Sequence, residues 1–197
     1  MSTNLIDYEK STMKCLPIWL HSVCGNMEYL HLTYDEMDSM TFDVFQQIQQ
    51  TDFRPDIILG IARGGWLPAR ILSDCFDSIG MDDVEVISVT TKYYAGIGKR
   101  SRRVMLQQEY GRSLVGLNVL LVDDVSDTGN TLRFVLKYAR WLGAENVKIA
   151  TVMYKTEALR PDFYAREVNR DVWIVFPYER REFERIRPEE NDSEDAG

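Results

Sequence analysis

The segment Leu120–Leu132, LLVDDVSDTGNTL, gathers carboxylates, hydroxyls and a glycine within a few residues. An apolar run ends in two adjacent acids, Asp123 and Asp124. Asp127 follows three residues later, and Thr128, Gly129, Asn130 and Thr131 come next. Consecutive strand side chains face opposite sides, so Asp123 and Asp124 serve one ligand only if the pleat breaks there. Ser126–Thr131 reads as that break, a turn running into a helix start. The unpaired N–H groups and dipole of such a start favour an anion. Gly129 lets the backbone approach closely, and the Thr128 and Thr131 hydroxyls add donors. A helix cap needs one acid or hydroxyl, not this density of them. A phosphate cradle directly behind two carboxylates implies a ligand with both a phosphate and neighbouring hydroxyls, and a sugar phosphate fits.

The elements around this turn alternate. Thr33 and Glu36 form a capping box ahead of a helix whose Met37, Met40, Val44, Phe45 and Ile48 line one face. DIILGIA (56–62) is a continuous apolar run, the pattern of a strand buried on both faces. Gly64 and Gly65 break it. Pro68 suits the first turn of the next helix, and Leu67, Ile71, Leu72 and Cys75 recur at helical spacing. VEVISVT (84–90), NVLLVDDV (118–125), VKIATVMY (147–154) and DVWIVF (171–176) read as further strands. Leu132, Val135, Leu136 and Ala139 mark a helix that Gly143 ends. Alternation of this kind predicts an α/β domain with a mainly parallel sheet flanked by helices. In such sheets ligands sit beyond the carboxyl ends of the strands, where both glycine-bearing turns fall.

Bulk properties bound the function. A chain of 197 residues suits one domain with a sizeable core, and 45% hydrophobic with 27% charged residues is ordinary for a globular protein. The net charge, 23 − 31 = −8, argues against a broad nucleic-acid footprint. An anionic ligand therefore needs a local site. Cys15, Cys24 and Cys75 form no CxxC pair, and Cys15, His21 and Cys24 lack an evident fourth ligand. No apolar run reaches the roughly 20 residues of a membrane span, and CLPIWL is too short for a signal peptide, so the expected compartment is the cytoplasm. Residues 1–26 have no clear period and read as an extension. The domain is expected over 27–186, and the acidic end, 187–197, as a disordered tail.

VLLVDDVSDTGNT resembles the PRPP-binding motif of the type I phosphoribosyltransferases: an apolar strand, two acids, then DTGxT. The resemblance implies that fold, with a small hood formed from terminal segments. It implies that Asp123 and Asp124 hold the ribose hydroxyls and that Asp127, Thr128, Gly129, Asn130 and Thr131 wrap the 5-phosphate. ILGIARGG (58–65) resembles the family's pyrophosphate loop, with Ala62, Arg63 and Gly64 at the leaving group and a cis peptide expected at Ala62–Arg63. Lys92 stands where purine members carry a lysine near pyrophosphate. The segment Tyr93–Leu117, which includes YYAGIGKRSRR, is expected to be a long loop. Its Lys99, Arg100, Arg102 and Arg103 read either as part of a closing lid or as a solvated basic patch.

Two further matches concern the base. Lys155 is placed like the lysine that 6-oxopurine members aim at O6. DVWIVFPYE (171–179) resembles the bacterial xanthine-guanine enzymes, with Trp173 as stacking platform and Ile174 and Val175 reading the 2-position. Glu179 matches an acid that some members associate with magnesium. The implied activity joins guanine, hypoxanthine or xanthine to PRPP with Mg²⁺, giving a nucleoside monophosphate and pyrophosphate. Asp127 would be the group facing N7, and the metal ligands would be Asp123, Asp124 and Glu179, partly through water. Family members are commonly homodimers or homotetramers, and no nucleic-acid or membrane partner is expected. Two alternatives share the PRPP turn: a PRPP-sensing regulator of the same fold, and an enzyme for adenine or a pyrimidine base.

Overall fold

The computed structural model describes residues 28–95 and 102–186. The leader with Cys15, His21 and Cys24, the basic residues Lys99 and Arg100, and the acidic end from residue 187 lie outside the described residues. In chain order the elements are β1 (Glu28–His31), α1 (Tyr34–Gln49), β2 (Ile57–Ala62), α2 (Trp66–Asp77), β3 (Glu85–Ala95), β4 (Arg102–Gln108), β5 (Asn118–Ser126), α3 (Asn130–Trp141), β6 (Asn146–Lys155), β7 (Phe163–Val168), β8 (Val172–Val175) and α4 (Arg180–Ile186). They fall into two compact units, Asp35–Arg170 and the terminal segments on either side of it.

The larger unit is built on a sheet in the order β4-β3-β2-β5-β6-β7. Only the β3–β4 pair is antiparallel. β2 is buried along its whole length, as its unbroken apolar run requires. Alternate residues of the central strands feed two cores, one on each face. Ile58, Leu120 and Val122 pack with Val44, Phe45 and Ile48 of α1 and Leu72 and Phe76 of α2. Ile57, Leu59 and Leu121 pack with Leu132, Val135 and Ala139 of α3.

Two expectations need correction. The face of α2 is turned from the predicted one: Pro68, Ala69, Leu72, Ser73 and Phe76 are buried, while Leu67, Ile71 and Cys75 are half-buried. The cause is close packing, because a Cβ on Gly60 of β2 would stand 3.1 Å from the Ala69 Cβ, which leaves room only for small side chains. The segment Tyr93–Leu117 is not a long loop. β3 runs on to Ala95, and β4 returns antiparallel to it with Lys92 paired to Met105.

β7 forms one edge of the sheet. Its exposed main chain is blunted at Tyr164, where the Gln47 amide of α1 donates to the carbonyl at 2.8 Å and accepts from the N–H at 3.3 Å. The predicted strand 171–176 does not join this sheet. As β8 it pairs in parallel with β1 in the terminal unit, Trp173 opposite Tyr29 and Ile174 opposite Leu30. Phe183 of α4 packs edge-on to Tyr29 and His31, with centroids 5.2 and 5.3 Å away, and ties α4 to that pair.

Candidate active site

The carboxyl ends of β3, β2, β5 and β6 lie side by side in the larger unit, and the predicted PRPP-contacting residues of that unit sit on them. β2 ends at Ala62, where the Ala62–Arg63 peptide bond is cis as expected. The chain then folds back: the Gly65 N–H donates to the Ile61 carbonyl at 2.8 Å, and the Trp66 N–H to the Arg63 carbonyl at 3.3 Å. Arg63 is exposed at the bend. Thr90 pairs with Ala62 across β3, so Lys92, also exposed, lies two residues beyond the end of β2 on the neighbouring strand.

β5 does not break at its acids. It runs to Ser126, but its ladder to β2 stops at the Gly60–Val122 pair while its ladder to β6 continues to Ser126–Tyr154. The carboxylates fold forward onto the next amides: Asp124 N–H donates to Asp123 Oδ1 at 3.1 Å, and Val125 N–H to Asp124 Oδ1 at 2.7 Å. One-sided pairing, rather than a broken pleat, brings both acids to the strand's edge. Asp124 is buried, and a Cβ on Gly64 would stand 2.0 Å from its Oδ2. The turn after β2 and the paired acids are therefore in direct contact, and any side chain at 64 would displace the Asp124 carboxylate. Burial, and then the Asp124 carboxylate beside it, push Asp123 well above the ordinary carboxylate range. A pair in that state is stabilised by hydroxyl donors or a cation.

Ser126 leads into the turn expected to hold the 5-phosphate. Gly129 takes φ 75°, a left-handed conformation that favours glycine, and immediately precedes α3. A Cβ there would also stand 2.2 Å from the Leu159 Cβ. Asp127, Thr128 and Asn130 are exposed and Thr131 half-buried. Thr128 is oriented locally: its carbonyl accepts from Arg133 Nη1 at 3.0 Å, and its Oγ1 from the Asn130 N–H at 3.4 Å.

Lys155 ends β6 and donates from Nζ to Asp127 Oδ1 at 2.7 Å. The lysine side chain is 15% exposed and the aspartate 60%, so the cation is held near the sheet while the acid faces outward. The two residues are 28 positions apart, and neither local pattern predicts the other. The remaining base residues belong to the terminal unit. Trp173 is 44% exposed, Ile174 and Val175 are buried, and Glu179 is exposed with its carbonyl accepting from the Phe183 N–H at 2.9 Å. Among the described residues, no cluster of three or more His, Cys, Asp or Glu is placed to hold a metal. Reading the sequence also passed over Ser126 and Leu159. Ser126 Oγ donates to the Leu159 carbonyl at 2.7 Å, and only the small polar residue between the acids hinted at it.

The family model of the phosphoribosyl transferase domain matches residues 30–182. The chain is 26% identical over 188 residues to the hypoxanthine-guanine phosphoribosyltransferase of Schizosaccharomyces pombe, covering 79% of this chain and 91% of that one. It is 31% identical over 150 residues to the xanthine-guanine phosphoribosyltransferase of Chromohalobacter salexigens, covering 75% and 82%. Among solved structures, a purine phosphoribosyltransferase from Pyrococcus horikoshii superposes with a TM-score of 0.66 at 32% identity, covering 76% of this chain and 93% of that one. A Neisseria gonorrhoeae protein solved with bound ppGpp gives the same TM-score at 28% identity, covering 80% and 94%. With two acids on a one-sided strand edge, a glycine turn before α3 and a family model spanning most of its length, the chain belongs to the phosphoribosyl transferase domain family.

Proposed function

We propose that the protein is a purine salvage enzyme, a glycosyltransferase that moves the 5-phosphoribosyl group of PRPP to N9 of guanine, hypoxanthine or xanthine and releases pyrophosphate. The observation that carries this reading is the Lys155–Asp127 pair. A 6-oxopurine presents O6 and N7 on one edge, an acceptor beside a position that carries a proton. A lysine donor and a carboxylate acceptor held side by side match that edge. Adenine turns an amino group toward the lysine and leaves two donors facing each other. The relatives named for hypoxanthine, guanine and xanthine support the same choice, as does the guanine nucleotide bound to the Neisseria protein.

The roles follow from chemistry. Asp123 and Asp124 accept hydrogen bonds from the ribose hydroxyls. Main-chain amides from Asp127 to Thr131 hold the 5-phosphate at the start of α3. Arg63, Lys92 and the amides near Ala62 and Gly64 face the pyrophosphate. Bond breaking at ribose C1 runs ahead of bond making, which gives oxocarbenium character as in glycoside hydrolysis. Asp127 leaves Lys155 to accept the N7 proton as N9 is ribosylated. Trp173 and Ile174, on β8, are assigned to base stacking and reading.

Two adjacent carboxylates at the strand edge, Asp123 and Asp124, would hold a hydrated magnesium ion largely through water, with Glu179 as a third candidate ligand. When bound, magnesium neutralises the departing pyrophosphate. We assign the catalytic domain to residues 27–186, flanked by an extension and an acidic tail, and expect a homodimer or homotetramer in the cytoplasm. No helix among the described residues is long and apolar enough to cross a membrane.

The test is pyrophosphate release from PRPP and Mg²⁺ with guanine, hypoxanthine, xanthine, adenine, uracil and orotate supplied one at a time. Turnover confined to the 6-oxopurines is expected. Turnover with adenine or a pyrimidine would leave the PRPP site standing and overturn the base assignment. PRPP binding without any turnover would make the protein a PRPP sensor.

A further inference from the structure

We propose that Ser126 is a positioning residue for the 5-phosphate turn, acting through the carbonyl of Leu159 on the connection that follows β6. The inference rests on the PRPP reading above and extends it to residues that do not touch the ligand. Ser126 is 1% exposed, and its Oγ donates to the Leu159 carbonyl at 2.7 Å. It stands one residue before Asp127 and three before Gly129. Gly129 meets the same residue: a Cβ at 129 would lie 2.2 Å from the Leu159 Cβ and 2.9 Å from its main-chain nitrogen. Lys155, at the start of this connection, holds Asp127. Three positions of the turn, 126, 127 and 129, are thus gripped by one short segment, 155–159.

The segment has a fixed shape of its own. The Ala158 N–H donates to the Lys155 carbonyl at 3.0 Å, and the Thr156 N–H to the Val168 carbonyl of β7 at 2.9 Å. The Arg170 N–H donates to Thr156 Oγ1 at 3.1 Å, and Glu157 takes the left-handed φ of 69° that the bend needs. Those bonds tie the start of the connection to the sheet, and its end is tied where the Ile149 N–H of β6 donates to Asp162 Oδ2 at 2.8 Å. At the start of α3, by contrast, Gly129 supplies no side-chain cap of its own, and the Asn130 N–H has a long 3.4 Å contact with Thr128 Oγ1. A helix start that binds an anion through its amides must have those amides aimed, and here the aim comes from a neighbouring connection. Because that same connection carries Lys155, the base edge and the phosphate turn share one support.

The experiment compares Ser126→Ala with Thr41→Ala in the full chain. Thr41 is equally buried, and its hydroxyl donates to the Met37 carbonyl at 2.7 Å inside α1, remote in sequence from the turn. Removing the Ser126 hydroxyl takes the side-chain donor from the Leu159 carbonyl, whereas the Met37 carbonyl keeps its helical N–H partner within α1, so Thr41→Ala should lower Tm no more than Ser126→Ala does. Only Ser126→Ala should raise KM for PRPP, by roughly tenfold, with KM for the base within about twofold of the native value. Ser126→Cys, which keeps the size and a weak donor, should fall between, and it decides the question if the alanine variant does not fold. A Ser126 variant with lowered Tm and unchanged KM for PRPP would reduce the contact to a folding role and overturn the inference. Failure of the PRPP reading itself looks different: the native protein would then show neither turnover nor a PRPP-dependent rise in Tm, and the inference would fall with it.

Discussion

Two strand-to-helix turns sit next to each other at the carboxyl edge of the sheet, and they are held in different ways. The turn from β2 into α2 is packed main chain against main chain: a Cβ on Gly65 would stand 2.5 Å from the Val122 carbonyl oxygen and 2.7 and 2.8 Å from atoms of Ile61. The turn from β5 into α3 is looser in itself, with Asp127, Thr128 and Asn130 exposed, and is braced from the β6–β7 connection through Ser126, Asp127 and Gly129. In the proposed reaction the first would present backbone and a guanidinium to the leaving group, with no side chain that has to move. The second would carry the acid that exchanges partners, from Lys155 to the base, which a turn as tight as the first would forbid.

The largest effect that separates the two is chemical. Asp127→Asn keeps the shape of the second turn and removes the proton acceptor, so kcat should fall by about 10²–10⁴-fold. KM for PRPP should stay within a few-fold, because in the proposed site main-chain amides, unchanged by the substitution, would hold the 5-phosphate. Steady-state kinetics with guanine or hypoxanthine measure both. Near-normal turnover would remove the general-base role from Asp127 and leave the second turn as no more than a phosphate holder.

Changes in the first turn should appear in stability instead. Gly65→Ala pushes a methyl into three main-chain atoms that have no rotamer to adjust, and a cost of about 3 kcal/mol is expected. For a chain of this size that is a fall in Tm of roughly 10 °C, read by thermal unfolding. Gly64→Ala, one residue away, meets only the Asp124 carboxylate, whose Oδ2 is 2.0 Å from the new Cβ position. A side chain can swing, so the fall in Tm should be smaller, while KM for PRPP should rise roughly tenfold if Asp124 holds the ribose as proposed. If both variants lose stability equally and PRPP binding equally, the division between a glycine for packing and a glycine for the site is wrong.

How much of this was legible in the sequence follows from what each feature depends on. β2 and the first half of β5 are buried on both faces and read as unbroken apolar runs, and most of β6 is buried despite Lys148 and Thr151, so their carboxyl ends could be placed. The DTGNT turn is local, and its residues show their purpose without a partner. β4 and β7 are edge strands with mixed exposure, and RRVMLQQ and FYAREV alternate too weakly to stand out. β1 has four residues and acquires its strand form from β8. The face of α2 was misread because close packing selects Ala69 for smallness against Gly60, and Ser73 is buried on the same face, while a hydrophobic pattern favours Leu67 and Ile71. The Lys155–Asp127 and Ser126–Leu159 contacts join residues 28 and 33 positions apart, and only the packing of β5 beside β6 brings them together.

The smallest effect tests what makes the brace stiff. Arg170 Nη1 and Glu157 Oε2 are 3.1 Å apart across the β6–β7 connection, and both side chains are more than 70% exposed. An exposed pair of this kind is screened and loses side-chain entropy when it forms, so its net worth is about 0–1 kcal/mol. The main-chain bonds at Thr156, Ala158 and Arg170 survive its removal. Arg170→Ala should therefore shift Tm by no more than a degree or two and leave KM for PRPP and kcat at their native values, at low and at high salt. A rise in KM for PRPP in this variant would mean that the second turn is aimed by a surface ion pair. The support shared by the base edge and the phosphate turn would then be adjustable by ionic strength, and the stiffness assigned to the connection's hydrogen bonds would have to be given up.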